Sequence, residues 1–249
     1  MDATLTLRSY VPPFVQWRMA RDPTAPLGPF QDVYRAAVIH VDLTGFTALA
    51  EEFASQGVAG AEQVCNTLGV FFRQLGAIVG AHDGHTVLFA GDAATVMWPV
   101  EAPEQLSGAV RHAVRCCGAL RDSLNARQRP DGTPRLGIHL SVGAGEVLAA
   151  GVGGIEGRWL PAVHGTAVDQ AWRAQRHATV GQILVSPEAW AHLGADFSGE
   201  TRADGTVVLT GSEDHRPHSL FDFTRPPLLS NVDVRAYVCL LYTSPSPRD

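Results

Sequence analysis

The chain has 249 residues, 45% of them hydrophobic, and a formal net charge of −6 from 19 basic and 25 acidic side chains. That length suits one large domain or two small ones, with apolar residues enough for a full core. Scattered arginines without a basic stripe exclude a nucleic-acid surface, and no membrane span is expected because no run of about 18 uninterrupted apolar residues occurs.

Residues 1–34 are punctuated by Pro12, Pro13, Pro23, Pro26 and Pro29 and read as an N-terminal arm, with a short amphipathic helix over 14–20. The N-terminus lacks a basic-then-apolar leader pattern, so secretion is not expected. The body spans 35–225. Its first strand, through Val38-Ile39-His40-Val41, is apolar and rich in β-branched residues. It ends on Asp42, then turns through Thr44 and Gly45 into a helical pattern from about Thr47. Helices follow over 48–55 and 59–79, the second with Val64, Leu68, Phe71, Phe72, Leu75 and Ile78 at three- and four-residue spacing. Strands over 86–89 and 93–98 flank the tight turn Ala90-Gly91-Asp92, a hairpin signal.

Glu101-Ala102-Pro103-Glu104 opens a helix that runs to about 127 and stops before a turn at 129–132. Residues 136–142 and 146–152 read as two strands and 159–163 as a third, followed by a helix over 167–177. A strand over 182–185 and a short helix capped by Ser186-Pro187-Glu188 come next. Residues 196–217 read as loop, with an edge strand at 218–223. The order predicts one α/β (α+β) domain with a ferredoxin-like βαββαβ core plus extra helices and strands. The tail, 226–249, matches none of this. Residues 240–249 resemble translated sequencing-adapter read-through beginning near Cys239, so an interrupted C-terminus is expected.

Cys65, Cys116, Cys117 and Cys239 show no metal-ligand spacing. Cys65 and Cys116 are expected to be small buried apolar residues, and a reducing cytoplasm is the simplest inference. His82 and His85 flank Asp83, but without a third or fourth ligand they are expected to be solvated loop histidines rather than a zinc site. His40 is expected to be a satisfied core histidine, and the glycines of 143–145 and 151–154 to be strand-turn glycines, for want of a Gly-Lys-Ser/Thr ending. Trp98, Trp159 and Trp172 are expected in core or interface.

Asp42 alone suits either a helix cap or a ligand, and Asp92 alone suits either a turn or a ligand. Taken together they favour chemistry. The predicted topology makes the first strand and the hairpin neighbours, and two close carboxylates repel unless a cation neutralises them. Two divalent ions would satisfy them beside a helix start that offers unpaired N–H groups to phosphate.

Three segments in order carry a resemblance: Val41-Asp42-Leu43-Thr44-Gly45-Phe46-Thr47, Phe89-Ala90-Gly91-Asp92, and Val163-His164-Gly165-Thr166-Ala167-Val168-Asp169-Gln170-Ala171-Trp172-Arg173. They resemble the signature segments of class III nucleotidyl cyclases, the adenylate and guanylate cyclase catalytic domains, over roughly residues 30–225. The pattern is most like the first cyclase domain of soluble-type adenylyl cyclases. The resemblance implies that Asp42 and Asp92 hold two Mg²⁺ (or Mn²⁺) ions, with the backbone carbonyl of Leu43 a further ligand. It assigns Thr44, Gly45, Phe46 and Thr47 to phosphate binding, and Arg173 to stabilising α-phosphate charge in the transition state.

The departures matter as much. Positions that read the purine in this family are Leu88, where a lysine is usual, and Ala162, where Asp or Thr is usual; neither can hydrogen-bond a base. The transition-state asparagine position is Asp169, a weak catalytic candidate. In the family, sites form at a head-to-tail dimer interface. The resemblance therefore implies a metal-donating half that makes cyclic AMP and pyrophosphate from a nucleoside triphosphate, ATP more than GTP, when paired with a second cyclase domain. A homodimer of this chain is expected to be weakly active or inactive. The alternative is an inactive cyclase-homology regulatory domain that binds nucleotide or a small anion.

Overall fold

Alternation along one long strand organises the molecule. In β1 (Gln31–Thr44), Ala37, Ile39, Val41 and Leu43 enter one apolar layer while Ala36 and Val38 enter the other. Successive side chains of a strand point to opposite faces, so a doubly covered strand reads as a continuous apolar run. The structure is a computed structural model that describes residues 11–22, 28–54, 57–125 and 136–212. The expected turn at 129–132, the edge strand at 218–223 and the tail lie outside the described residues.

β1 pairs antiparallel with β3 (Ala93–Val100) on one side and β4 (Gly137–Gly153) on the other. β2 (His85–Ala90) forms the expected hairpin with β3, and β6 (Ile183–Val185) lies parallel to β4. With β7 (Phe197–Thr201) and β8 (Val207–Ser212), the sheet order is β2-β3-β1-β4-β6-β8-β7, and β5 (Trp159–His164) is paired to β4 off that path. The run β2-β3-β1-β4 is the strand order of the expected ferredoxin-like core.

One face is covered by two helices. In α3 (Val58–Ala81) Phe71, Leu75 and Val79 pack inward, and α4 (Leu106–Asn125) contributes Val110, Ala113, Cys117 and Leu120. The other face carries α1 (Pro13–Arg21), through Phe14, Val15, Trp17 and Met19, and α5 (Thr166–Gln175), through Ala167, Val168 and Ala171. A short helix α2 (Phe46–Ala54) follows β1, and α6 (Pro187–Trp190) is capped as expected, the Ala189 N–H donating to Ser186 Oγ at 3.1 Å.

Several expectations need correction. The sheet begins at Gln31, because residues 31–35 alternate exposed and half-buried ahead of the apolar run. The two strands expected over 136–142 and 146–152 are one 17-residue strand, β4, from Gly137 to Gly153. Gly143 and Gly145 are not a turn: Gly145 takes a φ of +152°, and the chain runs on in register with β1, whereas Gly153 and Gly154, at φ +124° and +93°, do turn the chain out of β4 as expected. The segment read as loop contains β7 (Phe197–Thr201) and β8 (Val207–Ser212). Phe197 and Leu209 anchor them in the core, and the Asp204-Gly205 turn joins them, Gly205 at φ +84° with the Thr206 N–H donating to Asp204 Oδ1 at 3.0 Å.

Cys65 is exposed, whereas Cys116 and Cys117 are buried free thiols whose pKa values burial raises. Residues Glu62–Ala81 of α3, with mean hydropathy 1.3, are long and apolar enough by length and composition alone to cross a membrane. The segment has no uninterrupted apolar run, since Glu62 and Arg73 lie within it, and its average reaches that level in spite of them.

Candidate metal and phosphate site at the end of strand β1

Asp42 sits near the C-terminal end of β1, on the face opposite Leu43, so its carboxylate leaves the core and is one-third exposed. Across the ladder it pairs with Ala93 of β3 and His139 of β4. Asp92 occupies the β2–β3 turn directly after Gly91, whose φ of +64° suits glycine. The Leu43 N–H donates to the Asp92 carbonyl at 3.3 Å, fastening the turn to the end of β1. The structure therefore brings the backbones of Asp42, Leu43 and Asp92 together at one end of adjacent strands.

The phosphate candidates follow at once. Thr44 lies opposite Gly137, where any side chain would collide with Thr44 Oγ1. Gly45 turns the chain at φ +80°, and α2 begins at Phe46, one residue earlier than expected. The Leu49 N–H donates to the Gly45 carbonyl at 3.0 Å, so the backbone N–H groups before it, Phe46 and Thr47 among them, lie in the first turn where a helix supplies no acceptor.

Asp169 and Arg173 lie on the exposed side of α5, whose other side packs on β1 and β4. Asp169 stands in the first helical turn, where a carboxylate complements the helix dipole, and the Arg173 Nε donates to the Asp169 carbonyl at 3.3 Å. Leu88 on β2 is 42% exposed and Ala162 on β5 half-buried, and these two strands approach each other.

The donors fit a hard divalent ion in a limited sense. Among the described residues no three His, Cys, Asp or Glu side chains gather to hold a metal by themselves. An ion held by Asp42, the Leu43 carbonyl and Asp92 would take its remaining ligands from phosphate oxygens and water, as Mg²⁺ commonly does.

Three residues near Asp42 were not anticipated in these roles. His139 Nδ1 lies 3.5 Å from Asp42 Oδ2. His40 is buried as expected but not satisfied: its ring stacks on Trp172 at 4.3 Å, while Nδ1 finds no hydrogen-bond partner among the described residues. Ser141, directly across the ladder from His40, is fully buried, and its Oγ too has no partner among the described residues. Burial pushes the His40 pKa down, opposed by the charge of Asp42. Alternation placed His40 and Asp42 on one face of the strand; the pairing with His139 and Ser141 needed the β1–β4 register.

The other histidine pair is not solvated either. His82 is buried at the end of α3, its carbonyl accepting from Trp98 Nε1 at 2.7 Å. His85 is half-buried with its ring on Trp17, and burial lowers its pKa to about 4. The unfolded chain protonates this imidazole near its ordinary 6.5, before the folded chain does. Its contribution to stability is thus intact above pH 6.5 and lost as pH falls from there toward about 4. Urea midpoints measured between pH 7 and 4 are expected to decline, and His85→Gln is expected to flatten part of that decline. A variant whose profile parallels the wild type contradicts the assignment.

Residues 29–221 match the family described as the adenylate and guanylate cyclase catalytic domain. Adenylate cyclase type 10 of Homo sapiens is 31% identical over 173 residues, which cover 67% of this chain and 10% of that protein. Adenylate cyclase 1 of Rhizobium meliloti (strain 1021) is 30% identical over 118 residues, 46% of this chain and 16% of that one. The chain thus spans about a tenth of the length of the human relative. Among solved structures, the adenylyl cyclase CyaB from P. aeruginosa superposes with a TM-score of 0.61 at 21% identity, covering 74% of this chain and 97% of that one. The guanylate cyclase domain of RhGC from Catenaria anguillulae, solved with GTP, gives 0.60 at 19% identity, covering 73% and 100%. Likeness at that identity shows the fold alone.

Proposed function

Because this chain belongs to the class III adenylate and guanylate cyclase catalytic domain family, we propose that it is the metal-donating half of a cyclase. Paired with a complementary cyclase domain, it forms cyclic AMP and pyrophosphate from ATP. The observation that carries this reading is the junction at the end of β1. There the one-third exposed Asp42 stands beside the backbone-fastened Asp92 turn and ahead of the Gly45 turn into a helix start.

The chemistry assigned to each group follows from its place. The 3′-hydroxyl oxygen bonds to the α-phosphorus, its proton leaves, and the bond to the pyrophosphate oxygen breaks. Two divalent cations, Mg²⁺ or Mn²⁺, would when bound neutralise the triphosphate and ease loss of that proton. Asp42, the Leu43 carbonyl and Asp92 would hold them, and the backbone from Thr44 to Thr47 would receive phosphate oxygens. Arg173 lies exposed on α5, so it is offered to a nucleotide shared with the partner, where a fixed guanidinium suits developing phosphate charge. Leu88 and Ala162 offer the base no hydrogen bond, so purine selection falls to the partner. ATP is favoured over GTP because the curated relatives that match are adenylate cyclases. The buried free thiols Cys116 and Cys117 suit a reducing cytoplasm.

The test is complementation. The purified chain is mixed with Mn²⁺, ATP and a cyclase domain that carries the purine-reading lysine and the transition-state asparagine but lacks its own metal aspartates. Cyclic AMP in the mixture and in neither component alone is expected. Full activity from the chain alone would overturn the half-site reading. A silent mixture that still binds nucleotide would favour the regulatory alternative.

A further inference from the structure

We propose that His139 is a metal-selecting residue: with Asp42 it forms a mixed nitrogen–oxygen donor pair that favours first-row transition ions such as Mn²⁺ and Co²⁺ over Mg²⁺. The inference rests on the reading of Asp42 as a metal ligand and extends it to a side chain from a different strand.

His139 reaches this place through the alternation of β4. Ile138 and Leu140 on either side are buried in the apolar layer against α3 and α4, so His139 points to the opposite face. The ladder then puts it directly across from Asp42. Both side chains are reachable from solvent, at 22% and 33% exposure, whereas His40 on the same face is sealed under Trp172.

The Nδ1–Oδ2 separation of 3.5 Å is long for a charge-assisted hydrogen bond, which shortens to about 2.7–2.9 Å. Two donors each about 2.1 Å from one ion lie about 3.0 Å apart in octahedral geometry and about 3.4 Å in tetrahedral geometry. The observed spacing is nearer to that of two neighbouring ligands. An all-oxygen set suits Mg²⁺, and exchanging one oxygen for an imidazole nitrogen shifts preference along the divalent series toward the later ions.

Mn²⁺ alone is the probe, titrated into the full chain and followed by pulsed electron paramagnetic resonance, which detects a directly coordinated imidazole as ¹⁴N modulation. Wild type is expected to show that modulation. His139→Ala is expected to lose it and to bind Mn²⁺ about 10-fold or more weakly, since even losing a group that only supports a ligand costs about 10–100-fold. Competing Mg²⁺ is expected to lose less than about 3-fold in affinity from the same change. His139→Gln, which keeps a polar group on the strand, replaces the alanine variant if that one unfolds. Mn²⁺ binding that depends on Asp42 but shows no His139-dependent nitrogen signal overturns this inference and leaves the reading of Asp42 standing. Absence of any Asp42-dependent Mn²⁺ or Mg²⁺ binding overturns both.

Discussion

Asp42→Asn is expected to cut cyclic AMP formation by the complemented pair by about 10²–10³-fold or more, while the urea midpoint stays near that of wild type. Asparagine keeps the shape of the side chain and removes its charge, so what is lost is affinity for divalent cations. Little stability is at stake, because the carboxylate is one-third exposed and the His139 ring stands 3.5 Å away, too far for a strong hydrogen bond. Even a fully ionised pair at an exposed site is worth only about 0–1 kcal/mol. Asp32 supplies the contrast on the same strand. Its Oδ2 accepts from Arg18 Nε at 2.6 Å and from the Tyr34 hydroxyl at 3.1 Å, tying α1 to the sheet. The Tyr34 pKa is pushed up to about 12, by burial first and by the Asp32 charge second. Asp32→Asn is therefore expected to lower stability and spare turnover. A pair of variants that both lose stability, or an Asp42→Asn protein that still turns over, would remove the metal role from Asp42.

Much of this arrangement is legible in the residues themselves. The β-branched run ending at Asp42 and the Gly91-Asp92 hairpin each had a local signal, and the predicted order of elements sufficed to make their strands neighbours. What escaped was information carried by pairing between distant strands. His139 is one polar residue in an alternating strand, and nothing near it in sequence says that Asp42 lies opposite. The glycines at 143 and 145 misled for a different reason. A glycine is selected by a turn, by a special φ, or by the close approach of another backbone, and the three look alike in sequence. Residues 196–217 failed through composition, since their polar residues outnumber the Phe197 and Leu209 anchors, although Asp204-Gly205 carried a usable turn signal.

Gly143 turns that ambiguity into an experiment. Its backbone dihedrals are not of the kind reserved for glycine, so alanine carries no conformational penalty there and only space decides. An added Cβ would collide with the carbonyl oxygen of Ala167 and stand 3.0 Å from the Ala171 nitrogen, both backbone atoms of α5 that cannot swing aside. The helix is also clamped at this point. Gln170 Oε1 accepts from the Ala144 N–H at 2.9 Å and from Ser186 Oγ at 3.0 Å. Gly143→Ala must therefore lift α5 from the sheet, loosening those bonds and the Trp172–His40 stack, and carry Arg173 with it. A loss of about 1–3 kcal/mol in unfolding free energy is expected, as for an overpacked core, with turnover of the complemented pair falling further than stability alone requires. Mn²⁺ binding at the end of β1 is expected to persist, because Asp42 and His139 are held by strands rather than by α5. Gly76 in α3 is the control: nothing lies within 4 Å of its added Cβ, and Gly76→Ala in a helix interior is expected to stabilise by about 0.5–1 kcal/mol. Opposite signs for the same chemical change would show that Gly143 is there to let α5 touch the sheet; equal signs would refute the close approach.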